Sequence, residues 1–418
     1  MHHIYTKIFL SLSFCLLGAV IIFNYLIDPY DIYTHDIIKI KKHIVYSSLR
    51  MHKAYSVSTL KPKTIIAGSS RTQQGYNPAN ELLLHKPVYN MGLVLTNIYE
   101  TYRYIQHASA QGKLKQLFLT LDLFSFNAML PNRSDFNENY FAVSKDGKYQ
   151  TDWRHPHLFG LLSFGALSAS SRTILLANES RKPLIDRNGM QNQGSLHRAI
   201  MSLGHRASSL MIEKQFAKFV LFPAPSKEFR FINPHTQLSS YKIFRDLLTL
   251  CHNKNIETYI IINPTHARFQ ELYYLRGLWD RYESWKKQLA EINHAVASKQ
   301  NTPAFDIWDF TGYNSVTTEK VPASKTQAMK FFWESVHFKP HTGNIVLSKV
   351  LSKITPDKVS DFGTKLTINN IDKHLVSIRT QRQHYIKSNQ NELQGLYSAM
   401  KETDAYFSKL KLRLKSQQ

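Results

Sequence analysis

Ile8 to Ile27 reads IFLSLSFCLLGAVIIFNYLI, 20 residues without a charged side chain. That is about the length a helix needs to cross ~30 Å of hydrocarbon. Asn24 is its one strongly polar residue, and the run is apolar on every side, whereas a surface helix of a globular core is apolar along one stripe. Lys7 precedes it, and Asp28, Asp31 and Asp36 follow, a bias that favours the N-terminus inside and the bulk of the chain outside. Lys39, Lys41 and Lys42 lie farther along and oppose that orientation. A cleavable signal peptide is the alternative. Against it, the apolar run is long for such a segment and no small-x-small cleavage site follows. Phe14 is too bulky to stand before a lipidated Cys15. The expectation is an uncleaved single-pass anchor at 8–27.

The remainder of the 418 residues has room for two or three folding units, or for one enlarged α/β domain. Residues 28–60 read as a connecting segment with helical pieces. Thr64 to Ala67 is a short apolar strand ending in Gly68-Ser69-Ser70-Arg71, and Pro87 to Gly92 is a second. Asn97 to Gln111 has helical spacing, and Gln116 to Leu121 is a third strand, ending at Asp122. Short continuous apolar strands alternating with helices are the pattern of a parallel sheet. The rhythm breaks over 128–235, where Asp146-Gly147, Asn188-Gly189 and Pro223, Pro225 and Pro234 give turn signals, and an insertion or lid is expected there. It resumes with a helix at Tyr241–His252, a strand at Ile256–Ile262, a helix at Leu278–Lys299, a strand at Ala304–Ile307 and a closing helix at Gly343–Ile354. The expected units are therefore 61–127 and 236–355 as two parts of one α/β domain, 128–235 as its insertion, and 356–418 as a basic helical tail.

Two stretches carry residues suited to chemistry. Ser70 follows the C-terminal end of the first strand, where open α/β sheets place their sites, and helix-start N–H groups can stabilise an oxyanion. A plain turn or helix cap has the same composition. Glu334 and His337, in Trp333-Glu334-Ser335-Val336-His337, are three apart, so the carboxylate can orient the imidazole while it takes a proton from a serine. A surface ion pair has the same spacing. Taken together, a serine after the first strand and Glu-x-x-His before the last helix are more specific than either alone.

This arrangement resembles the SGNH/GDSL hydrolase superfamily, and most closely its membrane-anchored envelope branch, which includes alginate O-acetylation and teichoic-acid D-alanylation proteins. The resemblance covers about residues 60–127 and 240–355. It implies a flavodoxin-like three-layer α/β/α fold with about five parallel strands. It maps the nucleophile to Ser70 in Gly68-Ser69-Ser70, and the acid and base to Glu334 and His337. It puts Gly92, in Asn90-Met91-Gly92, at the oxyanion position. The chain departs from the family pattern at Ser69, where an Asp is usual, at Glu334, also usually Asp, and in the third block, where Thr120-Leu121-Asp122 lacks the oxyanion Asn. Asn90, Arg71 or Asp122 would have to reshape the hole. Arg71 could hold a substrate anion or a structural partner. Asp122 could bind a sugar hydroxyl, hold Arg71 or cap a helix. His266, in the loop after the fourth strand, could reach the cleft or be a satisfied loop histidine.

With 53 Lys and Arg against 30 Asp and Glu, the chain carries +23, an attraction for acidic partners. No nucleic-acid-binding module accompanies the charge, so anionic lipid or glycan is expected, and no nucleic acid. Two cysteines, Cys15 and Cys251, exclude a disulfide framework and a Cys-based zinc site. No metal or nucleotide motif occurs, so no cofactor is expected. The resemblance further implies the bacterial inner membrane with the bulk of the chain in the periplasm or outside. It also implies an envelope glycan as substrate and an acetyl-like group supplied by a multi-spanning membrane protein. Two functions follow: a serine acyltransferase or esterase acting on that glycan, or a non-catalytic protein that binds or positions it in a degenerate cleft.

Overall fold

A computed structural model describes residues 2–33, 35, 37–150, 160–222, 228–353 and 359–415, with the side chains of residue 2 and of 407–415 left aside. Asp36, Pro223, Pro225 and Ile354 lie outside the described residues. Six strands form one sheet: β1 Thr64–Gly68, β2 Val88–Gly92, β3 Gln116–Leu121, β4 Glu257–Ile262, β5 Asp306–Asp309 and β6 Thr364–Leu366. Their order is 2-1-3-4-5-6; the first five are parallel and β6 joins β5 antiparallel. The order 2-1-3-4-5 is shared with doubly wound, flavodoxin-like sheets, whose sites lie beyond the carboxyl ends of the strands. Every residue of β1, β2 and β3 is buried. A parallel sheet is covered on both faces, so its strands read as unbroken apolar runs.

Thirteen α-helices lie among the described residues. In chain order they are α1 His2–Ile27, α2 Leu49–Leu60, α3 Ser70–Gly75, α4 Ile98–Ala110, α5 Phe164–Leu175, α6 Gln193–Leu203 and α7 His205–Gln215. Then follow α8 Ser240–Asn253, α9 Ala267–Leu275, α10 Trp279–Gln300, α11 Pro340–Val350, α12 Ile371–Ser388 and α13 Gln390–Lys415. Alternation along the strands sorts the core into two layers. Ile65, Ala67, Leu117, Leu119 and Ile260 pack with α4, α8 and α10 on one face. Ile66, Phe118 and Ile261 pack with α11 and the aromatic side chains Tyr76 and Phe338 on the other.

The insertion holds α5, α6 and α7 and is fastened to this body. The ammonium of Lys53, from α2, donates to the carbonyls of Asn90 (2.9 Å), Gly92 (2.6 Å) and Gly189 (2.8 Å), which ties the Asn188-Gly189 turn to the end of β2. Burial pushes the Lys53 pKa well down, and the nearby Arg50 charge adds to the effect. Glu213 of α7 and Arg268 of α9 form a buried ion pair at 2.9 Å. The C-terminal segment, expected as a basic helical tail, packs on this body. It supplies β6, buries Leu375, Ile378, Leu393 and Leu396, and engages two of its arginines with Glu283 (2.6 Å) and Glu271 (2.7 Å).

α1 is the one helix among the described residues long and apolar enough to cross a membrane. Its 26 residues include the whole of 8–27. Most of it is exposed, but its last turns pack on α5. Asn24 donates to the Leu161 carbonyl and accepts from Ser170, both at 2.7 Å. The face of α5 turned inward is Ala166, Ala169, Ser170 and Thr173, small residues that let two helices approach closely.

Candidate active site

Ser69 and Ser70 do different jobs at the end of β1. Ser69 is the N-cap of α3: its Oγ accepts the Arg71 N–H at 3.2 Å and donates to Asp122 Oδ2 at 2.6 Å. A serine at this position satisfies one of the N–H groups that a helix start leaves without an acceptor. Ser70, the first helical residue, puts its Oγ 2.9 Å from His337 Nε2. Its own backbone N–H, at the first helical position, has no intrahelical acceptor.

His337 and Glu334 sit in a hairpin-like loop before α11. The loop is closed by a bridge between Phe332 and Phe338 and by Trp333 N–H donating to the His337 carbonyl at 2.8 Å. Inside it, one Glu334 oxygen is bonded to His337 Nδ1 and the other accepts the Val336 N–H at 2.6 Å. The longer Glu side chain is thus folded back and fixed at both oxygens, and the imidazole presents Nε2 to Ser70. His205 of α7 steadies the loop from outside, donating from Nδ1 to the Trp333 carbonyl at 2.8 Å and accepting the Met329 N–H at Nε2 at 3.3 Å. Burial lowers its pKa, in keeping with the neutral tautomer those two bonds require.

Close backbone approaches set the spacing between serine and histidine. A Cβ on Gly75, at the end of α3, would run into the Phe338 ring, and one on Gly343 would run into the Gly75 carbonyl. Glycine is what allows α3, the His337 loop and α11 to meet there. Gly92 serves in the same way, since a Cβ there would strike the Gln73 backbone.

The remaining expected site residues lie at the same sheet edge and are engaged by protein partners, except that Nε and Nη2 of Arg71 are buried without a hydrogen-bond partner among the described residues. Arg71 donates to Asp122 Oδ1 at 2.7 Å and to Thr265 Oγ1 at 2.8 Å, and its guanidinium lies 5.0 Å from the Phe269 ring centre. Burial, the largest single influence, works against its charge, but Asp122, Tyr273 and Tyr282 together raise its pKa. Asp122 also accepts from Asn263 at 3.1 Å. Asn90 donates to the Thr72 and Tyr76 carbonyls, both at 2.8 Å, and its Oδ1 accepts the Gly92 N–H at 2.9 Å. The Gly92 N–H and the Asn90 amide are therefore engaged with each other and with α3. His266 caps α9, accepting from Arg268 N–H at 3.2 Å and donating to the Glu319 carbonyl at 2.7 Å. It is wholly buried, which drives its pKa down to about 3. Asp309 binds Lys286 at 2.8 Å and His374 at 2.9 Å, and Asp306 binds Lys365 at 2.7 Å, so their carboxylates are committed elsewhere than at His337.

Two features of the site are not among the residues singled out from the sequence. Gln73, one turn beyond Ser70, is buried, and neither end of its amide has a hydrogen-bond partner among the described residues. A cavity of about 360 Å³ opens over Ser70 and His337, walled largely by apolar side chains from the loop after β2 and from the end of α7. The i+3 spacing from Ser70 is the one sequence clue to Gln73; the cavity walls are scattered along the chain and gave none.

Chemically, the arrangement can move a proton from Ser70 Oγ to His337 Nε2 while Glu334 stabilises the imidazolium. A scan against protein-family models gave no match to the chain, and a search of curated proteins gave none either.

Proposed function

We propose that this protein is a membrane-anchored serine acyltransferase or esterase of SGNH type acting on a cell-envelope glycan, with α1 in the bacterial inner membrane and the catalytic body in the periplasm. One observation carries this: three buried side chains, Ser70, His337 and Glu334, stand in an unbroken hydrogen-bonded chain with Ser70 facing a cavity. Ser70 attacks an acyl carbonyl as His337 takes its proton, and the protonated imidazole then releases that proton to the leaving oxygen. A sugar hydroxyl or water, deprotonated by the same histidine, resolves the acyl-enzyme. The acyl donor would come from a multi-spanning membrane protein beside the anchor. The basic surface suits an anionic membrane or glycan nearby.

A second reading is favoured by the engaged state of the Gly92 N–H and the Asn90 amide, which leaves the oxyanion with few donors. In that reading the cleft binds or positions the glycan without turnover. Labelling with a fluorophosphonate separates the two. Labelling of Ser70, lost in Ser70→Ala and retained in Ser69→Ala, supports the enzyme. An unlabelled protein that still retains envelope glycan on a column supports the binding protein. Orientation is tested apart, by a reporter active only in the cytoplasm fused after residue 60, which should stay silent.

A further inference from the structure

We infer that the cavity over Ser70 takes the hydrocarbon part of a medium-chain acyl group, roughly eight to ten carbons long, in preference to acetyl. This rests on Ser70 being the nucleophile. The cavity holds about 360 Å³. At roughly 30 Å³ for each water-sized group, that is about twelve such groups, so a bound chain leaving some space free has about eight to ten carbons. Acetyl, with two, would leave most of the apolar wall against water.

The lining matches a chain and not a sugar. Val94, Leu95, Ile212, Phe216, Phe219 and Val220 form most of it, and its polar groups are few: the Tyr46 hydroxyl, Gln74 and Gln215, with Ser70 and His337. Among the described residues, no Asp, Glu, Lys or Arg lines it. A sugar ring would leave most of its hydroxyls facing apolar side chains, a costly burial.

Two backbone irregularities face this same cavity. Leu95 has φ +50°, a left-handed conformation that is costly for a branched side chain and persists where its surroundings impose it. The helical turn after α7, Phe216–Val220, is a π-turn, a widening found disproportionately at functional sites. Phe216 is held from behind by edge contacts with Phe124 (5.3 Å) and Phe269 (5.1 Å), so this wall is already built without a ligand. Phe219 stands exposed at the rim. The acyl carbon enters bonding distance of Ser70 Oγ with its chain along these walls. The Oγ–C bond forms, the ester C–O bond breaks, and the proton passes through His337 to the departing oxygen.

The test uses the full-length protein in lipid nanodiscs and p-nitrophenyl esters from acetate to dodecanoate. The Ser70-dependent kcat/KM should rise about threefold per added methylene up to eight to ten carbons, then stop rising. Val220→Trp, which fills the cavity, should lower the octanoate-to-acetate ratio at least tenfold. A readout without turnover is octanoate binding to Ser70→Ala by calorimetry, expected to be at least tenfold tighter than acetate and lost in Ser70→Ala/Val220→Trp. Ser70-dependent hydrolysis that is fastest with acetate overturns the chain-length inference and leaves the nucleophile standing. No hydrolysis of any ester, with octanoate still bound by Ser70→Ala, overturns Ser70 as nucleophile and the acyl inference with it.

Discussion

Two clusters of polar residues share the carboxyl edge of one sheet, meet at the adjacent Ser69 and Ser70, and are built oppositely. Around Ser69, Arg71, Asp122 and Asn263 the hydrogen bonds run among the cluster's own members. Around Ser70 the chain from Glu334 through His337 ends on a hydroxyl beside an open cavity. Residue type does not separate them, since each holds a serine and a carboxylate. What separates them is whether the last polar atom meets protein or empty space. A closed network contributes to folding, and an open-ended one is available to substrate.

Substitutions can break that contrast. The largest effect expected is on turnover of a medium-chain ester: Ser70→Ala and His337→Ala should each lose ~10⁴ or more, with the double variant little worse, because such residues act as a unit. Glu334→Gln should lose ~10²–10⁴, and all three variants should keep the thermal stability of the parent within a few degrees. Full activity in Glu334→Gln would remove Glu334 from the catalytic set.

Next in size is Arg71→Met, which leaves Asp122 charged and unpaired in the interior. Loss of one partner of a buried pair costs about 3–5 kcal/mol, to be read from denaturant unfolding in detergent. Unchanged stability with lost activity would move Arg71 from the closed cluster to the substrate side.

His266 gives a pH-dependent test of the same closed region. Its pKa is about 3 in the fold against 6.5 for a free histidine. Between those values the unfolded chain takes up a proton that the fold refuses, so stability present above pH 6.5 is lost as pH falls towards 3. The loss is on the order of 1.4 kcal/mol per unit of pH below 6.5. Unfolding midpoints at pH 7, 5.5 and 4 should fall less steeply in His266→Gln. Parallel slopes would mean that His266 is protonated in place.

The smallest expected effect is Ser69→Ala, which removes a helix cap worth about 1 kcal/mol and should leave ester turnover within threefold. A loss approaching that of Ser70→Ala would make Ser69 part of the open cluster.

Much of the sheet could be read from the sequence, because the central strands are buried on both faces and so are continuous apolar runs. Gln116–Leu121 matches its expected bounds, and β1, β2 and β4 lie within a residue of theirs. The fifth strand lies two residues beyond its expected bounds, since Asp306 and Asp309 at its ends are polar and committed to ion pairs. The sixth has no counterpart among the expected strands. It has three residues with two exposed, and pairing with β5 rather than any apolar pattern makes it a strand. The Ser70 and Glu-x-x-His stretches are short and local, so they stand out in a linear reading. The engagement of Asn90 and Gly92 depends on how closely α3 passes β2, and the cavity joins residues over a hundred positions apart. Neither follows from local spacing.

The contact between Asn24 and α5 bears on how the protein can be handled. With both ends of its amide bonded to the insertion, Asn24 makes the apolar helix a joist of the building and not a leash. Cutting away residues 2–27 to obtain a soluble fragment would strip two hydrogen-bond partners from Leu161 and Ser170 and lay bare the Ala166–Thr173 stripe. Such a fragment should self-associate through that stripe, whereas a cut that removes α5 together with the helix takes both halves of the joint away.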